Sequence, residues 1–329
     1  MSTRRIFGAV ALLCAILAPS ATMAQQVAYP TKTITIIVPF SPGGGVDLMA
    51  RLLAERLRQS LGQQVIVDNK PGASGMLGAV AVVRAPADGH TLLLGSAGET
   101  AINPFIYKAK MQYTPAKDLA PISPVVRVPN VLVTKPGAPF KTVDELVAFA
   151  KKNPGKVTYA TSGVGNPQHL NGELLKETTG VDIIHVPYKG ASGQLVDVAG
   201  GNVDMTFVSL AAAAPFIKDG KVKAIAVTGA KRAPFAPDLP AIAESKAAPN
   251  YSLENWFGLF APAATPAPVI EKINAAVVQA LQEPELAKRM AEQGGITAPM
   301  TPAQFRDFIK AESVQYGRIV DFAKITPDN

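Results

Sequence analysis

The segment Ser41-Pro42-Gly43-Gly44-Gly45-Val46-Asp47 is the part of this sequence best suited to binding chemistry. It lies between a strand-like and a helix-like stretch. Glycines in that place let backbone N–H groups converge, and the start of a helix adds positive potential. Such a turn can receive an anion without any cationic side chain. It is not a nucleotide loop of the Gly-Lys-Ser/Thr kind, because no such triplet follows. Its contiguous glycines and Asp47 also miss the dinucleotide fingerprint. The residues leave one alternative open, a tight turn in which Asp47 only caps its helix.

The same plan recurs at Ser96-Ala97-Gly98, at Ser162-Gly163-Val164-Gly165-Asn166 and at Gly190-Ala191-Ser192-Gly193. Each follows a predicted strand, and open α/β sheets bind ligands at the carboxyl ends of their strands. Four such turns in two series predict a cleft lined by amides and small hydroxyls. His169, three residues after Asn166, is either a polar cleft residue or a partner for local backbone groups. Tyr188 is a candidate ligand contact, and Lys189 either attracts an anion or faces solvent. Asp204 reads as a turn organiser that accepts backbone hydrogen bonds.

Other chemistries lack their residues. The three histidines (His90, His169, His185) form no HExxH pattern, and neither a cysteine cluster nor an aspartate-rich calcium loop is present, so no metal or cofactor is expected. Ser162-Gly163-Val164-Gly165 lacks the spacing of a nucleophile elbow. His185 inside "IIHVP" reads as a core or lobe-edge histidine. A Ser/His/Asp site assembled in space stays open at this point, so a hydrolase of small acidic substrates is the alternative to a binding protein. A ligand-dependent signalling receptor is a third reading.

The elements that must carry these turns alternate. Thr33–Phe40 is β-rich and apolar on both faces, and Val46, Met49, Ala50, Leu53 and Leu57 then recur at helical spacing. "QQVIVDN" and Thr91–Gly98 are further strands, with a turn and helix between them. After "VVRVPNVLVTKPG" the plan resumes. Thr142 and Glu145 form a capping-box signature, followed by strands in "KVTYATSG", "DIIHVPYKG", "NVDMTFVSL" and "KVKAIAVTG". A turn-rich connector leads to a late strand, "NWFGLFAP", and two amphipathic stretches, Pro268–Glu292 and Thr301–Ile325. Two βα series, each too short for one large barrel, predict an α/β protein of two lobes. The C-terminal part returns to cover the first lobe, so two chain crossings supply a hinge. The boundaries read as 25–127 for the first part of lobe 1, 128–250 for lobe 2 with its crossover, and 251–329 for the return.

Bulk properties agree. The 329 residues are 48% hydrophobic and 17% charged, enough for two cores and inconsistent with disorder. The net charge of +7 is scattered and argues against nucleic acid as a partner. Arg4 and Arg5, the apolar run Ile6–Pro19 and Thr22-Met23-Ala24 predict a signal peptide, 1–24, cleaved near Ala24. Leu13 before Cys14 does not suit lipidation, so the mature chain would carry no cysteine. No second membrane-length apolar run follows, and no stable membrane insertion of the mature protein is expected.

Five segments together carry a resemblance: "PFSPGGGVD" (Pro39–Asp47), "NKPGASG" (Asn69–Gly75), "HVPYKG" (His185–Gly190), "GNVDMTF" (Gly201–Phe207) and "FGLFAPAATP" (Phe257–Pro266). In this order they resemble the substrate-binding proteins of tripartite tricarboxylate transporters, also called Bug-type extracytoplasmic solute receptors. The resemblance covers essentially the whole mature chain. It implies a two-lobed type II periplasmic-binding-protein fold with a hinge and an interlobe cleft, acting in the periplasm. It also implies capture of a small carboxylate by backbone amides, small hydroxyls and water, for delivery to a membrane permease, and the receptor is expected to be a monomer. Carried over residue by residue, the first wall is Phe40, Ser41, Gly43, Gly44, Gly45, Ser96 and Ala97. The second is Thr161, Ser162, Gly163, Asn166 and His169, with Tyr188 and Lys189 nearby, and Asp47 is structural. Departures are slight: Gly45 extends a glycine pair to three, and Met76 follows the second turn.

Overall fold

The computed structural model describes residues 29–188 and 191–327. The predicted signal peptide, Cys14, Lys189 and Gly190 therefore lie outside the described residues.

The first lobe opens with β1 (Ile34–Val38), α1 (Gly45–Leu61), β2 (Val65–Asn69), α2 (Met76–Val83) and β3 (Thr91–Ser96). Two single-turn helices, α3 (Asn103–Ile106) and α4 (Pro115–Asp118), precede the long β4 (Leu119–Val128). The second lobe runs β5 (Asn130–Thr134), α5 (Val143–Lys152), β6 (Val157–Thr161), α6 (Pro167–Thr179) and β7 (Ile183–Pro187). It continues through α7 (Ala191–Ala199), β8 (Met205–Ser209), α8 (Leu210–Lys218) and β9 (Lys223–Val227). The chain then returns as β10 (Asn255–Pro262), α9 (Ala267–Leu281), α10 (Pro284–Glu292), β11 (Ile296–Thr297) and α11 (Pro302–Ala323).

These strands form two sheets, β11-β4-β10-β3-β1-β2 and β7-β6-β8-β5-β9. In both, the first strand of the βα series lies between the second and third, parallel to each. Beside the third strand lies an antiparallel one, β10 in the first sheet and β5 in the second. The repetition is thus topological, without a sequence repeat. The chain crosses between sheets at 128–130 and again between β9 and β10. The crossings are laced together: Asn130 N donates to Thr228 Oγ1 at 2.9 Å, and Thr228 N donates back to the Asn130 carbonyl at 2.9 Å.

The buried pattern explains the apolar run of β1. Ile34, Ile36 and Val38 pack with Met49, Leu53 and Leu57 of α1, while Ile37 faces a second cluster on the other side of the sheet. That second cluster is continuous with lobe 2, reaching Tyr159, Leu170 and Phe207. α11 closes it from outside, with Arg318 paired to Glu177 of α6 at 3.4 Å.

Two features depart from the sequence reading. β4 and β5 were not legible as strands, because Pro121, Pro124 and Pro129 interrupt the pattern. Proline lacks a ladder donor, and the β4–β10 pairing accommodates two of them with register shifts beside Gly258 and Phe260. The stretch Pro268–Glu292 is two helices, not one, since Pro284 disfavours helical backbone at Glu283.

Gly258, in β10, fixes how closely α11 can approach the returned strand. A Cβ there would stand 2.3 Å from Phe305 Cζ and 2.8 Å from Cε1. Gly258→Ala is expected to cost about 1–3 kcal/mol by overpacking, read as a lowered urea midpoint at unchanged slope. An unchanged midpoint would show that this contact does not limit packing.

Candidate functional site

Between the lobes lie two contiguous cavities of about 940 and 530 Å³. Gly43, Gly44, Gly45, Ser162, Asn166 and Phe257 belong to the walls of both. The larger cavity is lined from lobe 1 by Phe40 to Val46, Ser74, Ser96, Gly98, Asn103 and Tyr107. From lobe 2 come Ser162 and Val164 to Pro167. The smaller one runs on towards Asn130, Gln168, Ser209 and Gln293. No Asp, Glu, Lys, Arg or His lines either cavity among the described residues.

The first-lobe turn is held from beneath. α1 starts at Gly45 with Gly44 as its N-cap and no side-chain cap, so Asp47 sits inside the first turn instead of capping it. The buried Asp47 carboxylate accepts from Gly43 N (2.9 Å), Arg51 Nε (3.0 Å) and Asn69 Nδ2 (3.0 Å). Burial pushes the carboxyl up, but these donors together hold it below the ordinary value. The Gly43 amide is thereby spent on Asp47. The first-turn amides beyond it have no intrahelical partner, and Gly44, Gly45 and Val46 line the larger cavity. Gly43 has φ +81°, a conformation that requires glycine.

The second-lobe turn is built alike. Gly165 N donates to His169 Nδ1 at 3.0 Å, Ser162 N to Gln168 Oε1 at 2.7 Å, and His169 N to the N-cap Asn166 Oδ1 at 2.9 Å. A Cβ on Gly165 would fall 2.5 Å from Ile106 Cδ1 of the opposite lobe, so glycine permits the close approach. His169 stacks on His185 at 3.8 Å, and His185 Nε2 meets Thr161 Oγ1 at 2.7 Å. Burial, then Lys176, lowers His169 to about 4; burial, then His169, lowers His185 to about 3. Both rings are therefore neutral near pH 7.

The structure brings Phe40, Ser41, Gly43, Gly44, Gly45, Ser96, Ser162 and Asn166 together on one cleft. It places Ala97, Thr161, Gly163, His169 and Tyr188 off both cavity walls. Ala97 is packed in the core because β3 runs directly into a helical turn and not into a glycine loop. Thr161 is buried at the end of β6, bonded to Gly163 O and His185. The Tyr188 hydroxyl donates to Asp197 Oδ2 at 2.5 Å. Asp204 accepts from Thr158 N and Oγ1 at 2.8 and 2.9 Å and pairs with Lys135, which is a turn-organising position. Lys189 lies outside the described residues.

Sequence reasoning missed Ser74, Asn103, Tyr107, Asn255, Phe257 and, behind the wall, Glu99. Ser74 had a signal in its own segment. "PGASG" packs turn residues together, and Ser74 adopts φ +52°, held by Asn103 Nδ2 donating to its carbonyl at 2.9 Å. Glu99 is fully buried beneath Ser96, with its Oε2 2.6 Å from Ser96 Oγ and its Oε1 accepting the Ser96 amide. Burial outweighs these bonds and raises its carboxyl to about 7. Among the described residues, no group of three or more His, Cys, Asp or Glu is placed to hold a metal ion.

The histidine pair sets a pH dependence. Their folded values lie below the unfolded value near 6.5, so the unfolded chain binds more protons below that pH. Stability is then full above about pH 6.5 and is withdrawn as pH falls towards 4 and 3. His185→Gln is expected to lose less melting temperature than the parent between pH 7 and pH 5 by circular dichroism. Other groups cancel in that comparison, and equal losses would contradict it.

With this geometry in hand, relatives are informative. Residues 49–325 match the family model described as "Tripartite tricarboxylate transporter family receptor". Protein BugT of Bordetella pertussis (strain Tohama I) is 37% identical over 292 residues, covering 89% of each chain. The structure of Rhodopseudomonas palustris Rpa4515 with adipate is 36% identical, with a TM-score of 0.80 over 90% of this chain and 99% of that one. MatC (Rpa3494) from the same organism, with bound malate, is 30% identical with a TM-score of 0.75 over 89% of this chain and 100% of its own. The two-sheet order, the doubly crossed lobes and the match along most of the sequence converge on one assignment: this chain belongs to the receptors of the tripartite tricarboxylate transporter family.

Proposed function

We propose that this receptor captures a small carboxylate-bearing solute in the interlobe cleft and delivers it to a tripartite tricarboxylate-type membrane permease. One observation carries the reading: the cleft wall converges amides and hydroxyls from both lobes and, among the described residues, contains no charged side chain. Free first-turn amides of α1 and the Ser41, Ser96 and Ser162 hydroxyls supply donors of the kind a carboxylate accepts. An acidic wall would repel such a ligand, and a basic one would bind anions without the geometry of the turns. Two relatives support the choice, since their structures hold adipate and malate.

In this proposal Phe40, Ser41, Gly44, Gly45, Ser96, Ser162 and Asn166 touch the solute. Gly43, Thr161 and His169 shape the turns from behind. Hinge closure at the laced crossings excludes water and strengthens the hydrogen bonds made to the anion. Among the described residues no helix is long and apolar enough to cross a membrane. The leader 1–24 would direct the chain to the periplasm, where it acts as a monomer. The Ser162 hydroxyl accepts from Asn166 Nδ2 at 2.9 Å, and both nearby histidines face each other inside the lobe, which favours binding over hydrolysis.

The test uses residues 25–329, unfolded and refolded to remove any carried solute. Adipate and malate are screened by thermal shift beside their diamides. A solute at 100 times its Kd stabilises by about 2.7 kcal/mol, so one of the acids should raise the melting temperature by several degrees and be recovered unchanged. Equal stabilisation by the diamides would defeat the carboxylate reading.

A further inference from the structure

Glu99 has no place in the binding scheme above, yet it bonds Ser96 of the cleft wall from behind. It is fully buried, and the backbone leaves room for it. A Cβ on Gly95 would stand 2.9 Å from Glu99 Oε1, and one on Gly75 would stand 3.0 Å from Oε2. Its carboxyl oxygens touch Ser96 twice, at the amide and at the hydroxyl, and Ser96 itself lines the larger cavity. The groups acting on Glu99 include no cation: burial and the Ser96 bonds account for its behaviour, with its own backbone amide. Tyr113 is the titratable neighbour. Its hydroxyl donates to the Glu99 carbonyl at 2.5 Å, and burial drives it far above the ordinary tyrosine range, so it stays neutral.

The hydroxyl of Ser96 has one hydrogen to donate and two lone pairs. Gly98 N already occupies one lone pair at 3.1 Å. If Glu99 is ionised, the hydroxyl hydrogen must point inward to the carboxylate, and Ser96 shows the cavity no donor. If Glu99 carries a proton, the carboxylic O–H fills the second lone pair and the Ser96 hydrogen turns outward. We propose that Glu99 is a positioning residue whose proton makes Ser96 a donor to the bound carboxylate, so that the receptor takes up one proton with its anion. The proton enters through the Ser96 hydroxyl, which gives its hydrogen to Glu99 Oε2 and accepts another from the cleft. No charge is left uncompensated in the core, because anion and proton arrive together. Among the described residues Tyr107 is the one ionisable side chain lining the cleft, so loss of the pH dependence in Glu99→Gln is what assigns it to a group behind the wall.

This inference rests on the carboxylate reading of the cleft, and its test separates the two. Adipate and malate, dianions throughout the range, are titrated calorimetrically at pH 7, 8 and 9 in phosphate and in Tris. The acid that binds should lose more than tenfold in affinity from pH 7 to pH 9. Comparison of the two buffers at pH 8 should show close to one proton taken up per ligand. Glu99→Gln, whose side-chain amide donates to Ser96 Oγ at every pH, should keep the pH 7 affinity and lose the slope. Ser96→Ala should bind more weakly at pH 7 and also lose it. A pH-independent parent affinity with no proton uptake overturns this inference alone, as does a slope that survives in Glu99→Gln. If neither acid binds at any pH, the reading of the cleft falls and this inference with it. Should Glu99→Gln fail to fold, the proton count on the unaltered protein decides.

Discussion

A hydrogen bond from a loop glycine to a side chain four residues further on governs the cleft. Gly43 N is tied to Asp47 and Gly165 N to His169, once in each lobe. In both places the acceptor sits in the first turn of the following helix, is buried, and is held by neighbours of its own. Asp47 is held by Arg51 and Asn69, and His169 by the stack on His185. A glycine turn left to itself samples many conformations, and ordering it costs entropy. The tether removes that freedom before a ligand arrives. Gly43 N in the first loop, and Ser162 N, Gly163 N and Gly165 N in the second, are given up to hold the turns that line the cleft.

The two tethers differ in charge but have the same consequence for the wall. Asp47 is an anion within a network of donors, and the histidines are neutral because burial lowers them. Neither presents charge to the cavity. The cleft therefore depends on oriented dipoles, which are weak in open water and stronger once water is excluded. That dependence gives the hinge its importance. The paired crossings at Asn130 and Thr228 keep the two sets of amides in register, while the apolar cluster shared by the lobes gives them a common support. Close approach is built in as well, since Gly165 leaves room for Ile106 from the other lobe.

The order of strands and helices was legible where periodicity was clean. β1, β2, β3 and the strands of lobe 2 from β6 onward stand out as apolar runs, all but β8 followed within a few residues by glycine. β10 showed as an isolated late strand, and its place between β3 and β4 accords with a C-terminal return. β4 and β5 were hidden by their prolines. At the site, the glycine turns and their hydroxyls could be named, because small residues after a strand carry a mechanism. Ser96 could be named but Ala97 was misplaced, since nothing in "GSAGET" distinguishes a loop from a strand that runs straight into a helical turn. His169 was weighed both as a cleft residue and as a backbone partner, and Nδ1 bonded to Gly165 N places it with the second.

Local chemistry by itself determined the α/β plan and the presence of amide-rich turns at strand ends, because each depends on residues adjacent in the chain, while five ordered segments carried the family resemblance. Only the tertiary structure decided which amides remain free, that Glu99 lies under Ser96, and that Asn255 and Phe257 from the returning strand join a wall begun at Phe40. Those outcomes depend on groups brought together by packing, and on burial, which sets the protonation of Glu99 and the histidines. Neither has a counterpart in spacing along the chain.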